Sequence, residues 1–328
     1  MGDLGPNEIA GRIESLLSLA DPCRLCAHEC GVARLAGQLG RCRSAAGLTL
    51  AAATAHFGEE PGISGTRGSG TLFFGACNLR CRYCQNAQIS QGLRVRRMEP
   101  TRAEEVANRA LALQAQGCHN INWVTPSHVT PWALIAHVRA VASGLAIPLV
   151  YNTSSYDSVE VLRLLDGVVD VYLADLRYSD NETAWRLSRA EHYVESSRAA
   201  VLEMARQVGL EHRIGPDGTV QRGLIVRLLV LPNDLAGLRE TFAFLKDSLG
   251  TGVHISLMAQ YYPAHRASED PLLARPIHYG EYLRAITLAE RFGFERVLTQ
   301  DLTAREFYRP DFDREDEPFA DRVRASGS

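Results

Sequence analysis

From Thr71 onward the sequence alternates between apolar runs and segments with helical spacing, and this alternation constrains the fold more than any other feature. Most of the runs lack the period-two pattern of half-buried strands, which is typical of parallel strands covered on both faces. Regular strand–helix alternation predicts an α/β fold, either a parallel barrel or a doubly wound sheet. Six principal units with a weaker seventh suit a partial (β/α)6 barrel. The candidate strands are Thr71–Gly75, Ile121–Val124, Ile147–Asn152, Val169–Ala174, Leu224–Leu231, Val253–Met258 and, as the weaker seventh, Glu295–Thr299.

The sequence before the first of these runs follows a different pattern. Residues Asn7 to Leu19 carry apolar side chains at helical spacing and predict one short amphipathic helix. Residues Leu48 to Gly70 are rich in Gly, Ser and Thr and predict a loop. The chain therefore divides into a helix and cysteine-rich module at 1–48, a barrel at 49–310 and a charged C-terminal tail at 311–328.

Charge and hydropathy exclude several classes of function. The chain has 35 Lys and Arg against 38 Asp and Glu, a net charge of −3, so nucleic acid is not indicated as a partner. No window reaches the roughly 20 apolar residues that a membrane span requires. The first twenty residues lack the basic and apolar regions of a signal peptide. These patterns predict a cytoplasmic protein with no membrane partner.

Seven of the 8 cysteines fall into two tight sets, and clustered thiols in a reducing compartment are metal ligands more often than disulfides. The first set is Cys23, Cys26, Cys30 and Cys42, spaced C-x2-C-x3-C-x11-C. Four thiolates complete the ligand set of a zinc ion or of an iron–sulfur cluster. The spacing leaves both metals open, and with them a structural or an electron-relay role.

The second set is Cys77, Cys81 and Cys84, spaced C-x3-C-x2-C directly after the first apolar run. Three thiolates can bind three irons of a 4Fe–4S cubane and leave the fourth iron without a protein ligand. An open coordination site indicates catalysis rather than a structural role. Active sites of β/α barrels gather at the carboxyl ends of the strands, where these three cysteines are predicted to lie.

The second set and its surroundings resemble the radical SAM superfamily, and most closely an uncharacterised branch related to pyruvate formate-lyase activating enzyme. The resemblance implies a cluster that reductively cleaves S-adenosylmethionine (SAM) to a 5′-deoxyadenosyl radical, which abstracts hydrogen. It also implies an electron donor such as flavodoxin or ferredoxin, and a glycyl-radical enzyme or another protein or peptide as substrate. The matching stretches are 23–42, 56–90, 122–132, 150–158, 170–180, 226–234 and 258–267.

The resemblance also implies SAM contacts at the ends of successive strands. Activating enzymes end their second strand in Gly-Gly-Glu, whereas this chain has Thr125 and Ser127 in that region. A tyrosine between the second and third cysteines and an arginine inside an apolar run add two candidates from the residues themselves. The candidate SAM-binding residues are Tyr83, Thr125, Ser127, Asn152, Ser154, Asp175, Arg177, Arg227 and His265.

Several alternatives stay open. Ser and Asn after a strand often cap the next helix, and Asp175 with Arg177 suits a structural ion pair. His56, Glu59 and Glu60, which precede the first run, are candidates for metal ligands, acid–base groups or a substrate surface. Three hypotheses for function remain: activation of a glycyl-radical enzyme; radical SAM modification of a small molecule, peptide or RNA base with an auxiliary cluster; and a non-catalytic metal-binding scaffold.

Overall fold

The computed structural model describes residues 4–92, 98–304, 309–314 and 318–319. Its strands are β1 (Leu50–His56), β2 (Ser69–Phe74), β3 (Ile121–Val124), β4 (Leu149–Thr153), β5 (Val171–Asp175), β6 (Arg213–Ile214), β7 (Val220–Leu229), β8 (His254–Met258) and β9 (Val297–Thr299). Its α-helices are α1 (Pro6–Ser18), α2 (Pro61–Ser64), α3 (Ala87–Ser90), α4 (Ala103–Ala115), α5 (Thr130–Ala142), α6 (Val159–Leu164), α7 (Asn181–Ser188), α8 (Tyr193–Val208), α9 (Leu238–Leu249) and α10 (Tyr279–Phe292).

One sheet contains all of these strands, in the order β1-β2-β3-β4-β5-β7-β8-β9, with the short β6 paired to β7. Every pairing from β2 to β9 along this order is parallel, while β1 runs antiparallel to β2. Strands β4 and β5 are buried at every position, because helices cover their outer face and the barrel interior covers the other. The predicted α/β fold with a mostly parallel sheet is confirmed, and all seven candidate strands are present.

The segment predicted as a loop differs from the prediction. Residues Leu50–His56 form β1, and the short helix Pro61–Ser64 follows it. The side chains of β1 are small, and only one of its positions is buried. The sequence of β1 therefore lacks the apolar run that marks the candidate strands. Strand β1 pairs with the outer edge of β2 in a register that joins His56 to Ser69. As a result, the residues that follow β1 lie beside the first residues of β2.

The N-terminal module packs directly against the barrel. Leu16 of α1 and Leu25 belong to the same apolar core as the strands. Arg34 is fully buried, donates to the carbonyls of Ala45 and His128, and lies 4.9 Å from the ring centroid of Trp132. A buried guanidinium is costly unless its donors are satisfied, so this residue fixes the module to the start of α5.

Part of the charged tail lies outside the described residues. Phe312, which is described, is 1% exposed and packs edge-on against Phe73 at 5.2 Å between ring centroids. Phe319 packs against His56, with 4.2 Å between the ring centroids. Among the described residues, no helix is long and apolar enough to cross a membrane.

Candidate functional site

The loop that carries the second cysteine set begins immediately after β2. Ala76 has a left-handed backbone (φ 67°) and donates its N–H to Ile89, which turns the chain sharply before Cys77. The amides of Arg80 and Arg82 donate to the carbonyls of Ser188 and Leu187 at 2.9 Å each. The loop is therefore held against the end of α7 by backbone hydrogen bonds rather than by side chains alone.

The three thiols of this loop interact with one another electrostatically. Burial and the neighbouring Cys81 and Cys84 raise the pKa of Cys77 to about 12. Burial also raises the pKa of Cys81, although the positive charge of Arg177 opposes the shift. Within the described part of the chain, no three Cys, His, Asp or Glu side chains form a preformed metal site. A cation bound among the thiolates would remove the repulsion that raises these pKa values.

A row of buried hydroxyl groups ends on Cys81. The Tyr83 and Tyr178 hydroxyls are 2.6 Å apart, and the Tyr178 hydroxyl is 2.6 Å from Ser188 Oγ. Ser188 Oγ in turn donates to Cys81 Sγ at 3.1 Å. Tyr83 also packs edge-on against Tyr261 at 5.7 Å between ring centroids. The hydroxyl of Tyr83 is thus engaged inside the protein, while its side chain still lines the cavity described next.

The ends of successive strands surround one cavity of about 190 Å³. Its lining includes the three cysteines of the loop together with acidic and basic side chains. Residues at the ends of β1, β2, β3, β4, β5, β7 and β8, and Gln300 after β9, line a single space. The sheet therefore curls into a partial barrel. The predicted site residues that line this cavity are Cys77, Cys81, Cys84, Tyr83, Thr125, Asn152, Ser154, Asp175, Arg177 and Arg227.

Two arginines and two carboxylates form a connected network in the cavity wall. Arg227 donates to Asp175 Oδ1 and to Glu59 Oε2, both at 2.8 Å, and Arg177 donates to Asp175 Oδ2 at 2.6 Å. Glu59 also accepts from Asn122 at 2.9 Å. Burial alone would lower the pKa of each arginine, but the Asp175 carboxylate raises it, and the net shift is upward for both. Both guanidinium groups therefore remain cationic at neutral pH.

Three buried polar atoms around the cavity have no hydrogen-bond partner among the described residues: Ser154 Oγ, Arg177 Nε and Glu60 Oε2. Ser154 is 5% exposed and Glu60 is 8% exposed. A buried polar group without a partner costs free energy, on the order of 1–3 kcal/mol. These atoms consequently mark the places where a bound molecule would make polar contacts.

Two predicted residues lie away from the cavity lining. Ser127 is fully buried beneath it, 3.4 Å from the Thr153 hydroxyl, which in turn donates to Asp157. His265 lies on an exposed turn with a left-handed backbone (φ 52°). Ser127 therefore belongs to a buried hydrogen-bond cluster under the third and fourth strands, and His265 to the surface.

The first cysteine set lies in the N-terminal module. Cys23, Cys26 and Cys42 are buried, and burial raises the pKa of each thiol. Electrostatic repulsion from Cys42 and Cys30 adds to the rise in the pKa of Cys26, so the three thiols are neighbours. A Cβ atom on Gly40 would lie 3.3 Å from the sulfurs of both Cys30 and Cys42. Glycine at this position leaves the room that the two sulfur atoms occupy.

Polar contacts join the two cysteine sets. His28 Nε2 lies 2.7 Å from the carbonyl oxygen of Asn78, the residue after Cys77. The Asn78 side chain donates to the Tyr156 carbonyl at 2.9 Å, and Cys26 pairs with Asp157 in an isolated β-bridge. The cluster loop and the N-terminal module thus share the segment at 156–157 as a common support.

Some residues of the site carried no detectable signal in the sequence. Ser188 lies 107 positions from Cys81, and nothing near it in the sequence indicates a sulfur contact. Tyr178 lies in the matching stretch 170–180, but the resemblance implies no role for it. Contacts of this kind follow only from the way α7 packs against the loop.

Comparison with known proteins gives this geometry its context. Residues 71–220 match the radical SAM superfamily, and this range begins in β2 and includes the cysteine loop. The chain belongs to the radical SAM superfamily. It is 30% identical over 302 residues to the uncharacterized protein MJ0674 of Methanocaldococcus jannaschii. The aligned region covers 89% of this chain and 81% of the relative.

Two solved structures of the [FeFe]-hydrogenase maturase HydG are also similar. HydG from Carboxydothermus hydrogenoformans aligns with a TM-score of 0.46 and 16% identity over 71% of this chain. This chain spans 53% of that maturase, or about half its length. The second HydG structure aligns with a TM-score of 0.45 and 12% identity, covering 90% of this chain and 68% of the other.

The superfamily implies a 4Fe–4S cluster and SAM, and the residues of the cavity fit both groups. Three thiolates on one loop provide a suitable donor set for three irons. The unpartnered Ser154 Oγ and Arg177 Nε beside them offer one neutral and one cationic hydrogen-bonding group. SAM has a carboxylate and ribose hydroxyl groups, which suit hydrogen-bonding groups of these kinds.

Proposed function

We propose that this protein uses Cys77, Cys81 and Cys84 to hold a 4Fe–4S cluster and abstracts a hydrogen atom from a protein or peptide substrate, such as a glycine of a glycyl-radical enzyme. One observation carries the proposal: the cysteine loop lines the same cavity as the polar ends of the next strands. Reductive cleavage of SAM to a 5′-deoxyadenosyl radical is the chemistry that the two cofactors supply when bound. The proposed reductant is a flavodoxin or ferredoxin, and the proposed compartment is the cytoplasm.

The residues of this chain would orient the cofactor. Arg177 offers a buried, unpartnered Nε that suits the SAM carboxylate, because a guanidinium matches the geometry of a carboxylate. Asn152 and Ser154 would contact the polar ends of the same molecule. Arg227 donates to the carboxylates of both Asp175 and Glu59. Arg227 and Glu59 would together hold Asp175 in place. Phe73 on the cavity wall would help to exclude water from the reacting atoms.

Anaerobic reconstitution followed by a SAM-cleavage assay tests the proposal. We expect the reduced protein to convert SAM to 5′-deoxyadenosine, which liquid chromatography measures. With a partner protein present, electron paramagnetic resonance should show a glycyl radical. A protein that holds the full cluster but never cleaves SAM would favour the metal-binding scaffold and contradict the proposal. Cleavage without a glycyl radical across candidate partners would remove only the glycyl-radical part.

A second candidate function is radical modification of a small molecule, peptide or RNA base with an auxiliary cluster in the N-terminal module. The polar bridge between His28 and Asn78 favours it, because it joins the segments that carry the two thiol sets. The net charge of −3 disfavours an RNA base among these substrates. Iron counting separates the candidates, since one cluster corresponds to about four irons per chain and two clusters to about eight.

A further inference from the structure

Glu60 is a buried carboxyl group whose Oε2 has no hydrogen-bond partner in the described part of the chain. Its side chain is 6% exposed. The nearest opposite charge recorded for that oxygen is Arg227 Nη1 at 3.9 Å, which is beyond hydrogen-bond distance. A carboxyl group so placed is costly unless something else satisfies it.

The adjacent Glu59 shows that the Glu60 carboxyl is exceptional. Glu59 accepts hydrogen bonds from Arg227 at 2.8 Å, Asn122 at 2.9 Å and Asn152 at 3.3 Å. Its role is therefore to position Arg227. Glu60 follows directly in the sequence and lines the same cavity, but its side-chain contacts are a hydrogen bond with Ser256 and the long ion pair with Arg227.

The charges of the cavity wall do not balance. Three carboxylates, Glu59, Glu60 and Asp175, stand against two guanidinium groups, Arg177 and Arg227. Asp175 is shared by both arginines, and Glu59 takes the second donor group of Arg227. The wall therefore has one carboxyl group more than it has guanidinium groups, and Glu60, whose pKa is raised by burial, is the one that accepts no hydrogen bond from an arginine.

Glu60 also lies between two cavities. The cavity with the cysteines and a second cavity of about 370 Å³ share Gly58, Glu59, Glu60 and Gln300 in their linings. The second cavity is lined by residues that follow β1, by residues of and after β9, and by Ser256 of β8. Asp301 adds another negative charge to its wall. A molecule that occupies the second cavity would meet Glu60 on the way to the first.

We propose that Glu60 is the substrate-recognition residue of this site, and that it binds an ammonium or guanidinium group of a substrate that enters through the second cavity. This inference deepens the proposed function and rests on it. The unpartnered Oε2, and a third carboxyl group beside only two guanidinium groups, both suit a hydrogen-bonding cation. Such a group would place the neighbouring part of the substrate in the cavity that the cysteine loop lines.

The test measures binding of small cations to the anaerobically reconstituted full chain by isothermal titration calorimetry near neutral pH. The probes are n-butylammonium and methylguanidinium, with n-butanol as the neutral comparator. We expect at least one cation to bind the unmodified protein about tenfold more tightly than n-butanol, and Glu60→Gln to remove that preference. Glu182→Gln, which removes the same charge from an exposed helical position, should bind the probes like the unmodified protein.

Three outcomes would overturn the inference. The first is equal binding of cations and n-butanol by the unmodified protein, a result that does not depend on how any variant folds. The second is Glu60-dependent binding of Mg²⁺ but of neither organic cation. The third is a loss of SAM affinity in Glu60→Gln as large as the loss of cation affinity, which would assign the residue to the cofactor. Failure of the proposed function is seen separately, as absence of SAM cleavage in the unmodified protein.

Discussion

The two cysteine sets of this protein are built in contrasting ways. The loop set lines a cavity and is held by backbone hydrogen bonds to α7. The N-terminal set lies in turns of its own module, beside the fully buried Arg34, whose positive charge lowers the pKa of Cys23 and Cys42 against the effect of burial. One set faces a space where a ligand fits, and the other faces protein.

This difference separates the roles that thiol groups can take. Three thiolates beside a cavity leave a metal with a free coordination position, which is what catalysis requires. Four thiolates in a closed module with a buried guanidinium nearby favour a structural or electron-relay site. The bridge from His28 to Asn78 means that the two sets can still affect each other.

The largest expected effect comes from removing a ligand from one set at a time. Cys81→Ser should abolish SAM cleavage, a loss of about a thousandfold or more, because the 4Fe–4S cluster loses one of its three ligands. Cys26→Ser should retain measurable cleavage, because it leaves the loop and the cavity unchanged. Product formation by liquid chromatography and metal content by mass spectrometry measure both variants.

Cys118→Ala is the matched control, because Cys118 is a buried thiol outside both sets. It should keep the metal content and the activity of the unmodified protein. Equal loss of activity in Cys26→Ser and Cys81→Ser would contradict the division of roles and make the two sets one catalytic unit.

The next effect concerns the stability of the N-terminal module. Arg34→Met should lower the free energy of unfolding by about 3–5 kcal/mol, because it removes a buried charge from the thiols and carbonyls that it satisfies. Chemical denaturation of the metal-loaded protein measures the change. Arg24→Met, which removes an exposed arginine with one ion pair to Glu160 at 3.3 Å, should cost no more than about 1 kcal/mol. Similar losses in the two variants would show that Arg34 does not hold the module.

A smaller effect is expected from crowding the N-terminal sulfurs. Gly40→Ala places a methyl group 3.3 Å from the sulfurs of Cys30 and Cys42, so metal affinity in this module should fall by about tenfold. Competition with a chelator measures that affinity. Gly11→Ala is the control, since nothing lies within 4 Å of a Cβ at this helical position. Unchanged affinity in Gly40→Ala would mean that the metal site lies away from these two sulfurs.

The sequence predicted the parallel strands well because most of them are largely apolar runs without period-two alternation. At Ile121–Val124 the prediction and the structure agree at both ends. The prediction failed at β1 because small side chains such as those of Ala51 and Ala53 carry no such signal. Thr101 and Glu104 have the spacing of a capping box, but the structure forms no such cap. Helix α4 begins after Arg102, and the Thr101 hydroxyl accepts from the amide of Leu50 instead. Because the Thr101 hydroxyl bonds to Leu50 of β1, it does not cap α4.

The site was predictable where the strand end alone determines the position of a side chain. Asn152, Asp175 and Arg227 lie on or at the ends of strands, and each lines the cavity. Ser127 and His265 lie in longer connections, whose path depends on packing that a strand pattern does not contain. The contact between Ser188 and Cys81 depends on the packing of a helix against a loop, so it has no counterpart in the local sequence.

The smallest effect tests whether the hydroxyl row that ends on Cys81 tunes the loop set alone. A hydrogen bond to a cluster sulfur stabilises the reduced, more negative state, so Ser188→Ala should lower the reduction potential. One neutral hydrogen bond is worth roughly 1 kcal/mol, which corresponds to about 40 mV for one electron. A redox titration followed by electron paramagnetic resonance measures this shift without relying on turnover. Ser15→Ala, whose hydroxyl donates only to a carbonyl on an exposed helix, should leave the potential unchanged. A shift in signals from an N-terminal cluster as large as that from the loop cluster would show that the two sets are not electronically separate.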